Sequence, residues 1–306
     1  MKIYINHRFL PSKHHDIVKT TFPNIEITSK EEDSYDSEAV FVGPDFIKEE
    51  ILEKYPSLKW IQLLTAGYDR ADLNALRKRN IILSNARGVY SITIAEDVLA
   101  KILMINRNIR QYLKQMEEGI WQPNWKETEI DGSIVGILGT GSIGEEIAKR
   151  IKAFNTKIIG YNQSGRIVEN FDEIVSDENG LNYLLKNSDY IIIALPLSNQ
   201  TRFLINLDKL KLMKKDAVIV NIGRGEIINL DDLVWALKNN VIKAAALDVV
   251  YPEPLPKDHE LWKLENVFIT PHNAVSSPKI NKRLVALIIE NLKNYLNNKN
   301  LKNIIY

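Results

Sequence analysis

The chain contains no cysteine. That excludes disulfides, thiolate metal sites and cysteine nucleophiles, although it says little about compartment by itself. It also lacks an excess of charge of either sign. Forty Lys and Arg stand against 39 Asp and Glu, a net charge of +1, so the balance gives no reason to expect nucleic acid or an anionic membrane as a partner. No apolar run approaches the roughly 18 residues needed to span a bilayer. The N-terminal stretch Met1-Lys2-Ile3-Tyr4-Ile5-Asn6-His7-Arg8 meets polar residues too early for a signal peptide. A soluble, cytoplasmic protein is the expectation. Histidine is scarce as well, and the adjacent His14-His15 pair is too isolated to propose as a metal site; no metal is expected. There is no solenoid repeat and no low-complexity tract, and 297–303 reads as a solvated terminus.

What is present is a chain of 306 residues, 45% of them apolar, enough for two globular domains with sizeable cores. It is organised around Ile134-Val135-Gly136-Ile137-Leu138-Gly139-Thr140-Gly141-Ser142-Ile143-Gly144. Ile134 to Leu138 is a buried strand by pattern, and Ile143, Ile147, Ala148, Ile151 and Phe154 then recur at helical spacing. A G-x-G-x-x-G between a strand and a helix is a dinucleotide-binding fingerprint rather than a chance string. Gly139 serves the tight turn, Gly141 the close approach of a pyrophosphate, and Gly144 the packing of helix on strand. The N–H groups at the helix start, around Ser142 and Ile143, would face the phosphates.

Short strand-like runs at 2–6, 25–28, 39–42, 60–64 and 81–84 alternate with polar or helical stretches such as 46–55 and 73–79. After the fingerprint, strands are expected at 157–161, 190–195, 217–221, 244–249 and 267–270, with helices at 181–186, 207–212 and 230–238. Such alternation predicts an α/β architecture with parallel sheets. The longest helical pattern, 94–118, precedes the fingerprint and reads as the helix carrying the chain between domains; Trp121-Gln122-Pro123-Asn124-Trp125 ends it. A last helix at 280–298 lies beyond the cofactor unit, and its return to the first domain would make that domain discontinuous.

In an open α/β sheet the ligand sits beyond the carboxyl ends of the strands. Three successive strands here are followed by Gly223-Arg224-Gly225, by Pro252-Glu253-Pro254 and by Pro271-His272-Asn273. Arg224 is a planar cationic fork suited to a carboxylate and able to polarise a neighbouring carbonyl. His272 can exchange a proton near neutral pH. Glu253, if bonded to His272, would fix its tautomer and favour its imidazolium. With a nicotinamide added, such a site would reduce a 2-keto acid to a 2-hydroxy acid.

These residues and the motifs Leu64-Thr65-Ala66-Gly67-Tyr68-Asp69, Leu195-Pro196-Leu197, Asn221-Ile222-Gly223-Arg224-Gly225, Asp248 to Pro254, His259-Glu260-Leu261-Trp262 and Thr270-Pro271-His272 resemble the D-isomer-specific 2-hydroxyacid dehydrogenase family along nearly the whole chain. Its glyoxylate and hydroxypyruvate reductases are nearest in appearance. The resemblance implies a Rossmann cofactor domain, residues 94–276, inserted into a flavodoxin-like substrate domain formed by 1–93 and 277–306. It implies a catalytic set of Arg224, Glu253 and His272, with the substrate carboxylate held by Arg224 and by the backbone around Ala66 and Gly67. It also implies Thr93 near the cofactor phosphates, Leu195 and Pro196 along the cofactor, Asp248 facing the nicotinamide carboxamide, and a homodimer through the cofactor domains. In that dimer, the 121–125 segment is a candidate to reach the partner's site.

One departure concerns cofactor choice. NAD-preferring members end the second Rossmann strand in an acidic residue; here the strand ends in Asn162, followed by Gln163-Ser164-Gly165-Arg166. The missing carboxylate and the nearby cation predict NADPH over NADH, with NAD still possible. Two other readings remain open at this point: a cofactor-sensing binding protein of the corepressor type, and a phosphite or formate dehydrogenase.

Overall fold

The computed structural model describes residues 1–305. The chain divides into two compact units, residues 1–90 with the stretch from Ser277 onward, and residues 91–276. The first unit opens with β1 (Lys2–Ile5), α1 (His15–Thr21), β2 (Glu26–Thr28), β3 (Ala39–Val42), α2 (Glu49–Leu52), β4 (Trp60–Leu63), α3 (Leu73–Lys78) and β5 (Ile82–Ser84). All its strands are parallel and lie in the order β2-β1-β3-β4-β5, the flavodoxin-like winding. Helical crossovers cover both faces of such a sheet, and every residue of β3 and β4 is buried. The helical stretch expected at 46–55 shrinks to a 3₁₀ turn (Pro44–Phe46) and the four-residue α2.

The second unit begins with α4 (Ser91–Asn106) and α5 (Ile109–Glu118). The expected single helix at 94–118 is therefore two. Asn108 takes a left-handed conformation, φ 51°, which asparagine tolerates better than most residues, and the axis turns there. The side chain of buried Asn106, just before the break, is held at both ends, donating to Tyr190 Oη (2.7 Å) and accepting from Thr128 Oγ1 (3.2 Å). There follow β6 (Ile134–Leu138), α6 (Ser142–Ile151), β7 (Lys157–Tyr161), β8 (Glu173–Val175), α7 (Asp177–Asn187), β9 (Tyr190–Ile193), α8 (Leu207–Leu212), β10 (Val218–Asn221), α9 (Leu230–Lys238), β11 (Ala244–Leu247) and β12 (Val267–Ile269). Their order, β12-β11-β10-β9-β6-β7-β8, is all parallel. Numbered from β6, it is the doubly wound dinucleotide-binding order 3-2-1-4-5-6 with one added edge strand. The strand order reverses between β6 and β9, which places a ligand crevice at their carboxyl ends. Strand β8 had no sequence signal: at three residues on an edge it shows neither alternation nor a long apolar run.

The chain then returns to the first unit as α10 (Ile280–Leu296). Its stripe of Ile280, Leu284, Ile288 and Leu292 packs with Ile3, Ile5, Phe41 and Trp60. Val40, Val42, Ile61 and Leu63 form the opposite core with Leu52 and Leu76. A buried polar chain fixes α10 on the sheet. Asn291, fully buried, donates to Gln62 Oε1 (2.8 Å) and accepts from Lys302 N (2.7 Å); Gln62 Oε1 also accepts from Ser84 Oγ (2.8 Å), which accepts from Trp60 Nε1 (2.9 Å). Among the described residues no helix is long and apolar enough to cross a membrane. Asn291→Ala removes the fully buried amide that joins Gln62 to the Lys302 backbone, two hydrogen bonds at once, so it should lower unfolding stability by about 1–3 kcal/mol. Urea denaturation checks this, and a loss below about 0.5 kcal/mol would contradict it.

Candidate active site

The glycine turn after β6 has three distinct positions. Gly139 has φ +104°, and a Cβ there would stand 2.7 Å from the Ala194 carbonyl oxygen. A Cβ on Gly144 would stand 2.1 Å from the Gly139 oxygen, so helix α6 packs against the turn at a distance only glycine allows. Gly141 differs: nothing of the protein lies within 4 Å of its missing Cβ. No contact within the fold requires that glycine, which is what close approach of a phosphate group would require instead. Gly141 is also the N-cap of α6 and brings no side chain to the first N–H groups of Ser142, Ile143 and Gly144, so those donors are left for an anion. These residues fit a dinucleotide.

At the end of β7, Asn162 is occupied by its own loop. Its amide donates to Thr140 Oγ1 (2.9 Å) and to the Arg166 carbonyl (3.0 Å), and its oxygen accepts from Ser164 Oγ (3.1 Å) and Arg166 N (3.1 Å). The side chain therefore shapes the 162–166 loop and ties it to the glycine turn. Arg166 is 62% exposed, with its guanidinium 3.7 Å from Glu145 in the first turn of α6.

The neighbouring strand ends carry the other predicted residues. Ala194 continues β9, its amide on Leu138 O (2.8 Å), and leads to Leu195 and Pro196 beside the glycine turn. At the end of β10, the buried Asn221 side chain accepts from Gly223 N (3.1 Å) and donates to the Arg224 carbonyl (3.0 Å), setting the turn that presents Arg224. Arg224 Nη1 donates to the Gly223 carbonyl (2.8 Å). Gly225 abuts the Val250 backbone, where a Cβ would come within 2.1 Å. The Arg224 turn and the loop bearing Glu253 are thus in contact.

Beyond β11 and β12, the carboxylate of Asp248 gathers the backbone around His272. Asp248 is 3% exposed. Its Oδ1 accepts from Thr270 Oγ1 (2.6 Å) and Asn273 N (3.1 Å), its Oδ2 accepts from Ala274 N (3.1 Å), and its carbonyl accepts from His272 N (2.8 Å). His272 is held at φ 50°, and its Nδ1 lies 2.8 Å from Glu253 Oε2, with both side chains part-exposed. Glu253 Oε1 accepts in turn from Val250 N (3.2 Å). Since the carboxylate takes the histidine's Nδ1 side, Nε2 faces away from it and is free to meet a substrate.

The expectation that Asp248 faces a nicotinamide carboxamide meets a side chain already engaged by the 270–274 backbone, with one lone pair of Oδ2 left over. Thr93 is placed by its hydroxyl on the Val275 carbonyl (3.5 Å), next to that loop, and it is Ser91 that meets Ser142 at the start of α6 (3.2 Å). Ala66 and Gly67 lie in the turn after β4 in the first unit. Their carbonyls accept from Asn85 Nδ2 (2.7 Å) and Thr65 Oγ1 (2.9 Å). Sequence reasoning missed Asn221 and Thr270, since single polar residues at strand ends resemble ordinary turn formers.

Residues 99–274, which take in the glycine turn, Arg224, Glu253 and His272, match the D-isomer specific 2-hydroxyacid dehydrogenase, NAD binding domain. The chain belongs to the D-isomer-specific 2-hydroxyacid dehydrogenase family. Its reaction class is accordingly nicotinamide-dependent interconversion of a 2-keto acid and a 2-hydroxy acid. Among relatives, it is 36% identical over 263 residues to D-3-phosphoglycerate dehydrogenase of Methanocaldococcus jannaschii, a match covering 85% of this chain; the chain spans about half (49%) of that enzyme's length. To glyoxylate/hydroxypyruvate reductase B of an Enterobacter species it is 31% identical over 297 residues, covering 95% of this chain and 91% of the relative. A solved structure of an acyclic imino acid reductase, in complex with NADPH and D-Arg, superposes with a TM-score of 0.85 at 30% identity over the whole of both chains.

The glycine geometry separates two substitutions. Gly144→Ala forces α6 away from the turn and should cost about 1–3 kcal/mol of stability. Gly141→Ala meets no protein atom, so stability should stay within about 0.5 kcal/mol, while the dissociation constant for reduced nicotinamide cofactor rises at least about tenfold, roughly the loss of one hydrogen bond to a charged group. Thermal unfolding and cofactor fluorescence titration check both, and unchanged cofactor affinity in Gly141→Ala would contradict the reading.

Proposed function

We propose that this protein reduces a small 2-keto acid, glyoxylate or hydroxypyruvate in kind, to the D-2-hydroxy acid, using NADPH in preference to NADH. The observation that carries the reading is the His272 Nδ1 to Glu253 Oε2 contact of 2.8 Å at the strand edge that also presents Arg224. The reduced nicotinamide, when bound, supplies hydride to the keto carbon. Arg224 holds the substrate carboxylate by its planar fork and draws charge from the adjacent carbonyl. His272 gives its Nε2 proton to the keto oxygen as the hydroxyl forms. Glu253 keeps the ring in the orientation and tautomer this transfer needs and balances the imidazolium before the proton leaves. The amides of Ala66 and Gly67 are the substrate-binding groups we assign to the first unit. One relative, 31% identical and matching 95% of this chain, is a glyoxylate/hydroxypyruvate reductase, which favours this substrate class over the corepressor, phosphite and formate readings.

For the cofactor, the reading rests on the 162–166 loop. A carboxylate at the end of β7 would repel a 2′-phosphate; Asn162 does not, and it uses its own hydrogen bonds to hold the loop in shape. The exposed Arg166 guanidinium is then the donor available to that phosphate, and Ser164 becomes a second by giving up its bond to Asn162. We also assign a homodimer through the second unit, in the cytoplasm. The support for the dimer is the apolar surface at the end of α5 and just after it, where Met116, Trp121 and Trp125 are 75%, 99% and 85% exposed, more than a lone chain ordinarily leaves in water.

Steady-state kinetics on a panel of 2-keto acids with both cofactors tests the proposal. NADPH should give the higher kcat/KM, and glyoxylate or hydroxypyruvate should lead the panel; a higher value with NADH would overturn the cofactor assignment. His272→Ala should lower turnover at least about a hundredfold. Arg166→Ala should weaken NADPH binding by about 1.5–3 kcal/mol and leave NADH nearly unaffected; equal losses for the two cofactors would remove the loop from phosphate recognition.

A further inference from the structure

Helix α4 buries a lysine. Lys101 is 1% exposed, as deep as Val98 and Ile102 beside it, while Ala100 and Leu103 take the outward side. An ammonium that is fully desolvated is costly unless carboxylates and hydrogen bonds compensate it, and a lysine serving only its own helix could extend its long stem to water. Lys101 instead points inward and stands between two carboxylates. One is Asp97, a turn earlier on α4, which it contacts directly; the other is Asp248, whose Oδ1 lies 3.8 Å from Nζ. The two acids are not equivalent. Asp97 is 23% exposed and can be solvated, whereas Asp248 is 3% exposed and cannot. Burial pushes the Asp97 carboxyl up, Lys101 opposes this, and the charge of Asp248 adds to the rise. Among the described residues, Lys101 is the cation paired with Asp248.

We infer that Lys101 is a positioning residue for the reaction: it supplies the buried counter-charge to Asp248, so that the Asp248 carboxylate keeps the 270–274 backbone, and with it His272, in place. The neutral donors Thr270, Asn273 and Ala274 orient that carboxylate but bring no counter-charge; Lys101, shared with Asp97, supplies it. The reaction-related part of this inference rests on the function proposed above, and the structural part does not.

The test compares Lys101→Met, Asp97→Asn and the double variant. Two readouts are used: amide hydrogen exchange at Asn273 and Ala274 by NMR, without substrate or cofactor, and the split of kcat and KM for glyoxylate. Lys101→Met should speed exchange at both amides at least about tenfold relative to the sheet core. It should lower kcat about tenfold or more through a displaced His272, with the glyoxylate KM within about twofold because Arg224 is untouched. Asp97→Asn leaves Lys101 on Asp248 and should keep both readouts within about twofold of wild type. The double variant should stay as impaired as Lys101→Met. If it recovers, or if Lys101→Met leaves both amides protected, Lys101 serves only its helix and the inference is wrong. Lys101→Gln, which keeps a polar end of similar length, carries the same expectations should the methionine variant not fold. If wild-type protein proves inactive on 2-keto acids, the proposed function fails, while the exchange readout still decides whether Lys101 holds the loop.

Discussion

The candidate site depends on one buried carboxylate. Asp248 sits at the carboxyl end of β11 with almost no water contact and takes hydrogen bonds from Thr270, Asn273 and Ala274. A buried charge is tolerated only when its lone pairs are filled and a counter-charge is near, and here the partners that fill them belong to the loop that carries His272. The cost of burying Asp248 is thereby converted into order at the loop. His272 then keeps a left-handed backbone conformation, φ 50°, that an unsupported loop would not hold. Glu253, supported by the Val250 amide, completes the pair.

The doubly wound sheet makes this arrangement possible. Parallel strands with helical crossovers bring the ends of β10, β11 and β12 to one edge, so the loops carrying Arg224, Glu253 and His272 start side by side, and Glu253 reaches His272 although the two are far apart in sequence. The same edge, at the reversal of strand order between β6 and β9, carries the glycine turn. Side-chain to backbone bonds then set each loop: Asn221 the Arg224 turn, Asn162 the 162–166 loop, Asp248 the His272 loop. Three short polar side chains at strand ends do the local work that the sheet alone cannot.

Much of this was legible in the sequence, for physical reasons. Central parallel strands are apolar on both faces, so β6, β9 and β10 read as short continuous runs, and glycine spacing announces a turn that only glycine can make. Arg224, Glu253 and His272 could be brought together because each follows such a run. The parts that were not legible depend on tertiary partners. The helix expected at 94–118 breaks at Asn108, because its neighbours Asn106 and Arg110 are bound by groups remote in sequence, Tyr190 Oη and the Leu264 and Val267 carbonyls. The bonds that fill the Asn162 side chain, to Thr140, Ser164 and Arg166, leave no mark in the sequence either. Lys101 did leave a trace, a lysine on the stripe of Ile94, Val98, Ile102 and Ile105, but its reason, Asp248, lies far along the chain.

The central claim is that Glu253 fixes His272 with Nδ1 protonated, leaving Nε2 for the substrate. Nitrogen-15 chemical shifts of the His272 ring, measured in ligand-free protein at a pH where the ring is neutral, test it most directly. The account predicts the Nδ1–H tautomer in the wild type and its loss in Glu253→Ala. A wild-type ring carrying its proton on Nε2, unchanged by Glu253→Ala, would contradict it.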